Sequence, residues 1–358
     1  MSKNDWYTKI QKMNQGMVAD ALDSVKTNLL PLPSPSLNWA LGGGLAFGKI
    51  ATIFGPEQSG KSLVAQLAIA ELHKNEPDAW AIWYDAEFSF DKDYAEKLGV
   101  DLKRLWLIQT NKPVEIFNHF AETVWAMIQQ GFPCKIMVID SIKSIMAPKE
   151  AGLESIEKFV IGDLSSLLNK AFRKIIEPIR KGKVLTICVQ QVNEEMDPQK
   201  MRRGIKWKVP SGQALKHFSD YMILVEKVEA KASKMYDDTH KNIQKLPIQV
   251  GHTVRCKIEK SRVDCPHLTA EFRLRYGVGV VDTHLEIAQL GVELGVVIRP
   301  NAVMYEFQNN KVKGFQKLVE LIQEKPEVYR ELLKAINEYD VFAMPNVSEV
   351  GVSTDEDE

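Results

Sequence analysis

An apolar stretch at residues 50–54 runs straight into Gly55-Pro56-Glu57-Gln58-Ser59-Gly60-Lys61-Ser62, and a helix-forming run over 62–73 follows. The octet fits G-x-x-x-x-G-K-[ST], and its setting between a strand and a helix is what gives that pattern meaning. Glycines let successive backbone N–H groups converge on one point, and the helix N-terminus adds partial positive charge; together they make an anion receptor. Lys61 is placed to reach the outer phosphates of a nucleoside triphosphate, most simply ATP, and Ser62 to hold Mg²⁺. A chain with this feature must set the carboxyl end of a strand beside the amino end of a helix. That commits it to an α/β fold with a parallel sheet, whose ligands gather at the strands' carboxyl ends.

The rest of the sequence agrees. Apolar strands are predicted at 80–84, 105–109, 136–139 and 184–189, with helices at 114–130 and 164–180 between them. Near-continuous apolar strands of this kind are covered on both faces. After residue 220 the segments 221–227, 253–260 and 268–276 read as strands without long helices between them, an antiparallel extension of the same sheet. The polar stretch 229–247 reads as an exposed loop or hairpin. Four parts are expected: a docking arm of helix and linker at 1–35, an ATPase core at 36–278, a small C-terminal α/β domain at 279–342, and an acidic tail at 343–358 disordered by composition.

No apolar run approaches the ~20 residues of a membrane span, and the polar N-terminus has no signal-peptide pattern. The expected setting is the cytoplasm, with no membrane partner. Cys134, Cys188, Cys256 and Cys265 form no C-x-x-C pair and read as reduced thiols rather than a metal site. The net charge of -1 excludes a uniformly basic coat. Nucleic-acid binding stays open, because counterion release depends on local cations.

Several strand ends carry chemistry. The strand 136–139 ends in Asp140, a carboxylate placed to hold Mg²⁺ through water, with capping of the next turn as the plainer role. The strand 80–84 ends in Asp85-Ala86-Glu87; Glu87 there could polarise an attacking water, with Glu57 as the competing carboxylate and local capping as the alternative role. The strand ending in Gln190-Gln191 leads into a polar loop with Arg202, Arg203, Lys206, Trp207 and Lys208. Cations with one aromatic suit a DNA backbone and base stacking, while a solvated loop is the plainer reading. Lys257, Lys260 and Arg262 fall on or after a strand, where charge often protects a sheet edge.

Taken together, LNWALGGGLAFGKIATIFGPEQSGKS, WYDAEFSFDKDYAEKLGVD, KIMVIDSIKSI, LTICVQQV, SGQALKHFSDY, IEKSR and AEFRLRYGVGV resemble, in this order, the RecA family of recombinases, and within it the bacteriophage UvsX-like branch. The resemblance spans about 36–340. It implies that Glu87 activates water, that Asp91 and Tyr94 hold the adenine, and that Gln191 senses the γ-phosphate. It implies DNA-binding loops at about 150–162 and 192–210, and cations, Lys260 and Arg262, that reach a neighbour's ATP. The implied activity is ATP-dependent pairing and exchange of single- and double-stranded DNA by a homo-oligomeric helical filament, with a single-strand-binding protein and a loading mediator as candidate partners. In a phage setting the compartment is the infected bacterial cell. A hexameric helicase on the same fold and a nucleotide-switched scaffold are the competing functions.

Overall fold

The protein is described here by a computed structural model covering residues 28–145, 163–202, 206–209, 212–241, 247–263 and 268–339. The expected N-terminal helix, the first loop at 150–162, Arg203, Cys265 and the acidic tail lie outside the described residues.

Ten strands form the central sheet. Six are parallel: β1 (Ile50–Gly55), β2 (Trp80–Asp85), β3 (Leu105–Gln109), β4 (Cys134–Asp140), β5 (Leu185–Gln191) and β6 (Tyr221–Lys227), in the spatial order β6-β1-β5-β4-β2-β3. The remaining four are antiparallel: β7 (Lys234–Lys241), β8 (Pro247–Ser261), β9 (Thr269–Arg275) and β10 (Gly279–Val281), with β8 on β6, and both β7 and β9 on β8. The sequence reading put 221–227 in the antiparallel extension. The structure corrects this: β6 runs parallel to β1, with Tyr221 opposite Ala51. The loop after β5 and one short helix suffice for the crossover, so no long helix announces it.

The helices, in chain order, include α1 (Pro35–Ala40), α2 (Lys61–Asn75), α3 (Lys92–Lys97), α4 (Asp163–Gly182), α5 (Gly212–Phe218), α6 (Thr283–Glu293), α7 (Phe315–Glu324) and α8 (Pro326–Asn337). Strand alternation divides the core by face. Ile53, Val138 and Val189 pack with Leu67 and Ile69 of α2 on one side, and Ile50, Ile139 and Cys188 with Phe172 and Ile175 of α4 on the other. Cys134, Cys188 and Cys256 are buried and free. Burial pushes the Cys134 and Cys188 thiols up to about 12, as expected of inert core thiols.

The sheet continues to Val281 through β10, three residues past the boundary expected at 278. Beyond it, α6, α7 and α8 enclose a separate small core around Ile287, Leu318, Ile322, Leu332 and Ile336, with a hairpin of Met304–Phe307 and Asn310–Lys313. Glu286 fastens this unit to α1. Its Oε1 accepts from the Ser36 N–H and hydroxyl, both at 2.6 Å, and from the Ser34 hydroxyl. Burial pushes this carboxyl up, and the serine bonds oppose the shift.

Candidate nucleotide site at the carboxyl edge of the sheet

Because β1, β5, β4 and β2 are neighbours, their last residues line up along one edge. Gly55 is opposite Gln191, and Asp85 is opposite Asp140. The octet 55–62 wraps this edge. A Cβ on Gly55 would lie 2.1 Å from the Val225 carbonyl, so only glycine fits where the turn leaves the strand. Gly60 takes the helix-capping position of α2 with φ 101°, which a side chain would strain. The first turn of α2 has neither a capping side chain nor an acidic residue, so its N–H groups stay available to an anion. Ser59 is 1% exposed and, among the described residues, its hydroxyl has no hydrogen-bond partner. An orphan buried hydroxyl inside a ring of N–H donors fits a phosphate.

Lys61 folds back over this loop, its ammonium donating to the Pro56 carbonyl at 2.6 Å. Burial lowers its pKa, and the carboxylates of Asp140, Glu87 and Glu57 act against that shift. Asp140 is buried, which pushes its carboxyl up to about 6; a hydrogen bond from Ser62 counteracts this, while Glu87 and Asp85 add to it. Ser62 and Asp140 therefore already face one another. A hydroxyl and a carboxylate, both hard oxygen donors, fit Mg²⁺.

The carboxylates divide by what they touch. Asp85 is 1% exposed and fully engaged: it accepts from the Ser89 and Phe90 N–H groups at 3.1 Å and from Gln109 Nε2 at 3.0 Å. Local capping is its role here. Glu87 instead sits among strand ends. Its Oε1 accepts from Ser141 Oγ at 2.5 Å, Ser144 Oγ at 3.1 Å and Gln191 Nε2 at 3.2 Å. These bonds crowd one oxygen, and Oε2 is not among the acceptors. Glu57 is exposed at the tip of the octet beside Gln58, whose φ is 56°. Pro56 is half-buried behind it. Asp91 caps α3 by accepting from the Tyr94 N–H at 2.9 Å, and the Tyr94 ring leans on the core beside α2. Sequence reasoning passed over Ser141, Ser144 and Gln109; the two serines were legible only as neighbours of Asp140 in Asp-Ser-Ile-Lys-Ser.

The loop after Gln191 is built, not open, among the described residues. Asn193 pairs with Lys208 and Glu194 with Trp207 as a two-residue ladder, with the one-turn helix Pro198–Arg202 between. Trp207 donates its indole N–H to Glu226 at 2.7 Å and packs on Phe54, Met222 and Leu224. Arg202 and Lys206 are exposed beside the ladder, Lys208 is exposed on it, and Met196 is 81% exposed. The tryptophan thus anchors the loop to β6 while cations and methionines face outward.

Lys260 and Arg262 are elsewhere. β8 is antiparallel to β6, so its end lies at the amino edge of the parallel strands, where Met222 faces Lys260. The Arg262 N–H donates to the Asp220 carbonyl, and Asp220 in turn receives the Ile50 N–H on its carboxylate. The whole of β1 separates this level from Gly55, roughly 16 Å at ~3.3 Å per residue. The two side chains donate to the Lys216 and His217 carbonyls at the end of α5. They do not reach the octet of their own chain.

Comparison with known proteins finds the model of the RecA N-terminal domain matching residues 8–281. Among similar curated proteins, Protein RecA of Lactobacillus johnsonii is 29% identical over 92% of this chain and 86% of its own. Protein RecA of Bacillus velezensis is 29% identical over 92% and 89%, and that of Lactobacillus delbrueckii subsp. bulgaricus 30% over 90% and 92%.

Proposed function

Since the chain belongs to the RecA family, we propose that it is a DNA-dependent ATPase that assembles as a helical filament on single-stranded DNA and exchanges strands with a homologous duplex. The observation that carries this reading is the separation just described. A phosphate receptor with its carboxylate lies at one edge of the sheet, and two cations suited to a phosphoryl group lie at the other. One chain cannot join them; a head-to-tail stack of chains can, and a stack that does not close becomes a helix.

In this reading Lys61 leaves the Pro56 carbonyl for the outer phosphates, Gly55 and the residues through Ser62 cradle them, and Asp91 and Tyr94 hold the base. Ser62 and Asp140 would hold Mg²⁺, which when bound would neutralise phosphate charge. Glu87, with Oε1 fixed by three donors, directs Oε2 at the attacking water. Lys260 and Arg262 of the adjoining copy stabilise charge on the transferred group. Gln191 links the terminal phosphate to the loop that follows it. There, Arg202, Arg203, Lys206 and Lys208 take DNA phosphates and Trp207 supports the loop. Pairing between strands supplies sequence readout, so backbone contacts suffice.

The ordered motif resemblance from about 36 to 340 supports the UvsX-like branch of the family, and with it a phage origin and a bacterial cytoplasmic setting. A single-strand-binding protein and a loading mediator are the proposed partners. No helix among the described residues is long and apolar enough to cross a membrane.

The test is strand exchange between a single strand and a labelled homologous duplex, with ATP and Mg²⁺, beside a non-homologous duplex. Exchange only with homology is the expected result. Displacement irrespective of homology means a helicase, and ATP turnover indifferent to single-stranded DNA means a scaffold.

A further inference from the structure

Gln191 is held at both ends of its amide. Nε2 donates to Glu87 Oε1 at 3.2 Å, and Oε1 accepts from the ammonium of Lys143 at 3.2 Å. The orientation is fixed by chemistry: a carboxylate only accepts and an ammonium only donates, so each neighbour selects one end of the amide. Lys143 stands in the single turn Ile142–Ser144 after β4, directly behind Asp140 and Ser141, and Ser144 of the same turn bonds Glu87. Its charge is close enough to act on Lys61. The turn therefore grips both Glu87 and Gln191, one through a hydroxyl and the other through an ammonium.

We propose that Lys143 is a positioning residue, a latch that holds the Gln191 amide against Glu87 and so restrains the ladder of Asn193 and Glu194 with Lys208 and Trp207. This rests on the nucleotide-site reading given above. A terminal phosphate presents only acceptors, so Gln191 can meet it only with Nε2, the end bonded to Glu87. Turning the amide to do so carries Oε1 away from Lys143. The Lys143 bond thus competes with a phosphate contact from Nε2, and it opposes nucleotide binding by whatever it contributes. Because Gln191 ends β5 and Asn193 begins the ladder to Lys208, release of the amide loosens the start of that ladder.

Two measurements test this on the full chain. In the first, amide hydrogen exchange is followed without nucleotide or DNA. Lys143→Met is expected to speed exchange at 192–195 about three- to ten-fold, the range of one modest hydrogen bond, with β1 and α2 unchanged. Lys143→Arg, which keeps a cationic donor, is expected to restore the slow exchange. Unchanged exchange at 192–195 in Lys143→Met overturns the latch, as does faster exchange that Lys143→Arg fails to reverse or that spreads evenly through β1 and α2. In the second, affinity for a non-hydrolysable ATP analogue with Mg²⁺ is measured as a double-mutant cycle with Gln191→Ala. Lys143→Met is expected to change affinity two-fold or more differently in the two backgrounds, whereas a bare charge effect would be equal in both and would sink the proposal. If the unaltered chain binds no nucleotide, the nucleotide-site reading fails while the exchange measurement still decides the latch.

Discussion

The two edges of the central sheet are built from the same strands and treat polar groups in opposite ways. At the carboxyl edge, polar groups are left with capacity to spare. Among the described residues, the Ser59 hydroxyl has no partner, the first turn of α2 has no side-chain cap, and Glu87 has its bonds crowded on one oxygen. At the amino edge, charges are consumed internally. Asp220 takes the Ile50 N–H and the Arg180 guanidinium, while Lys260 and Arg262 close the carbonyls at the end of α5. The carboxyl edge thus keeps hydrogen-bonding capacity in reserve. The amino edge is a stable surface whose two cations can exchange exposed carbonyl partners for a better anion.

Loss of the cation at the carboxyl edge should have the largest effect. Lys61→Ala is expected to lower ATP turnover by about 10⁴-fold, through lost binding and lost charge stabilisation together; wild-type turnover would dissolve the carboxyl-edge site. Next, replacing Lys260 and Arg262 by Ala should cost about 10³-fold in turnover. Equal amounts of that variant and Lys61→Ala should recover up to roughly a quarter of the activity, since random stacking pairs an intact octet with intact cations in that share of interfaces. No recovery on mixing would mean the two edges do not meet between copies.

A smaller effect separates the carboxylates within one edge. Glu87→Gln should bind ATP yet turn it over about 10²-fold more slowly, with Glu57→Gln within about two-fold; the reverse order would transfer the role to Glu57. The smallest expected effect concerns stability. His73, buried at the end of α2, has its pKa lowered to about 4 by burial and then by Arg104, against an ordinary value of 6.5. The unfolded chain therefore takes a proton in this window that the folded chain refuses. The His73 contribution to stability is full above pH 6.5 and is lost as the pH drops to 4, by about 3 kcal/mol. Denaturant midpoints across this window should show the slope, and His73→Gln should flatten it.

Much of the site was legible because the chemistry is local. The octet 55–62 carries its own turn, cap and cation, and Asp140 and Glu87 are each at or just after a strand end. What was less legible depends on partners distant in sequence. Asp85 and Glu87 look alike in the sequence; Gln109 and the Ser89 and Phe90 N–H groups occupy one, and Ser141, Ser144 and Gln191 the other. Trp207 read as an aromatic for stacking, and nothing local shows that Glu226, nineteen residues on, takes its indole N–H. The parallel direction of β6 was hidden because its crossover is a ladder and a short helix in place of a long one.

By itself, then, the sequence determined the α/β class, the glycine-rich turn from strand to helix and the family resemblance. Each rests on spacing within a few residues, and backbone geometry converts such spacing directly into structure. Only the tertiary structure decided that Asp85 is taken up in local capping while Glu87 meets Ser141, Ser144 and Gln191, what holds Gln191, and that Lys260 and Arg262 face away from the octet of their own chain. Those follow from strand order and direction, which are set by packing across the whole sheet and leave no mark on neighbouring residues.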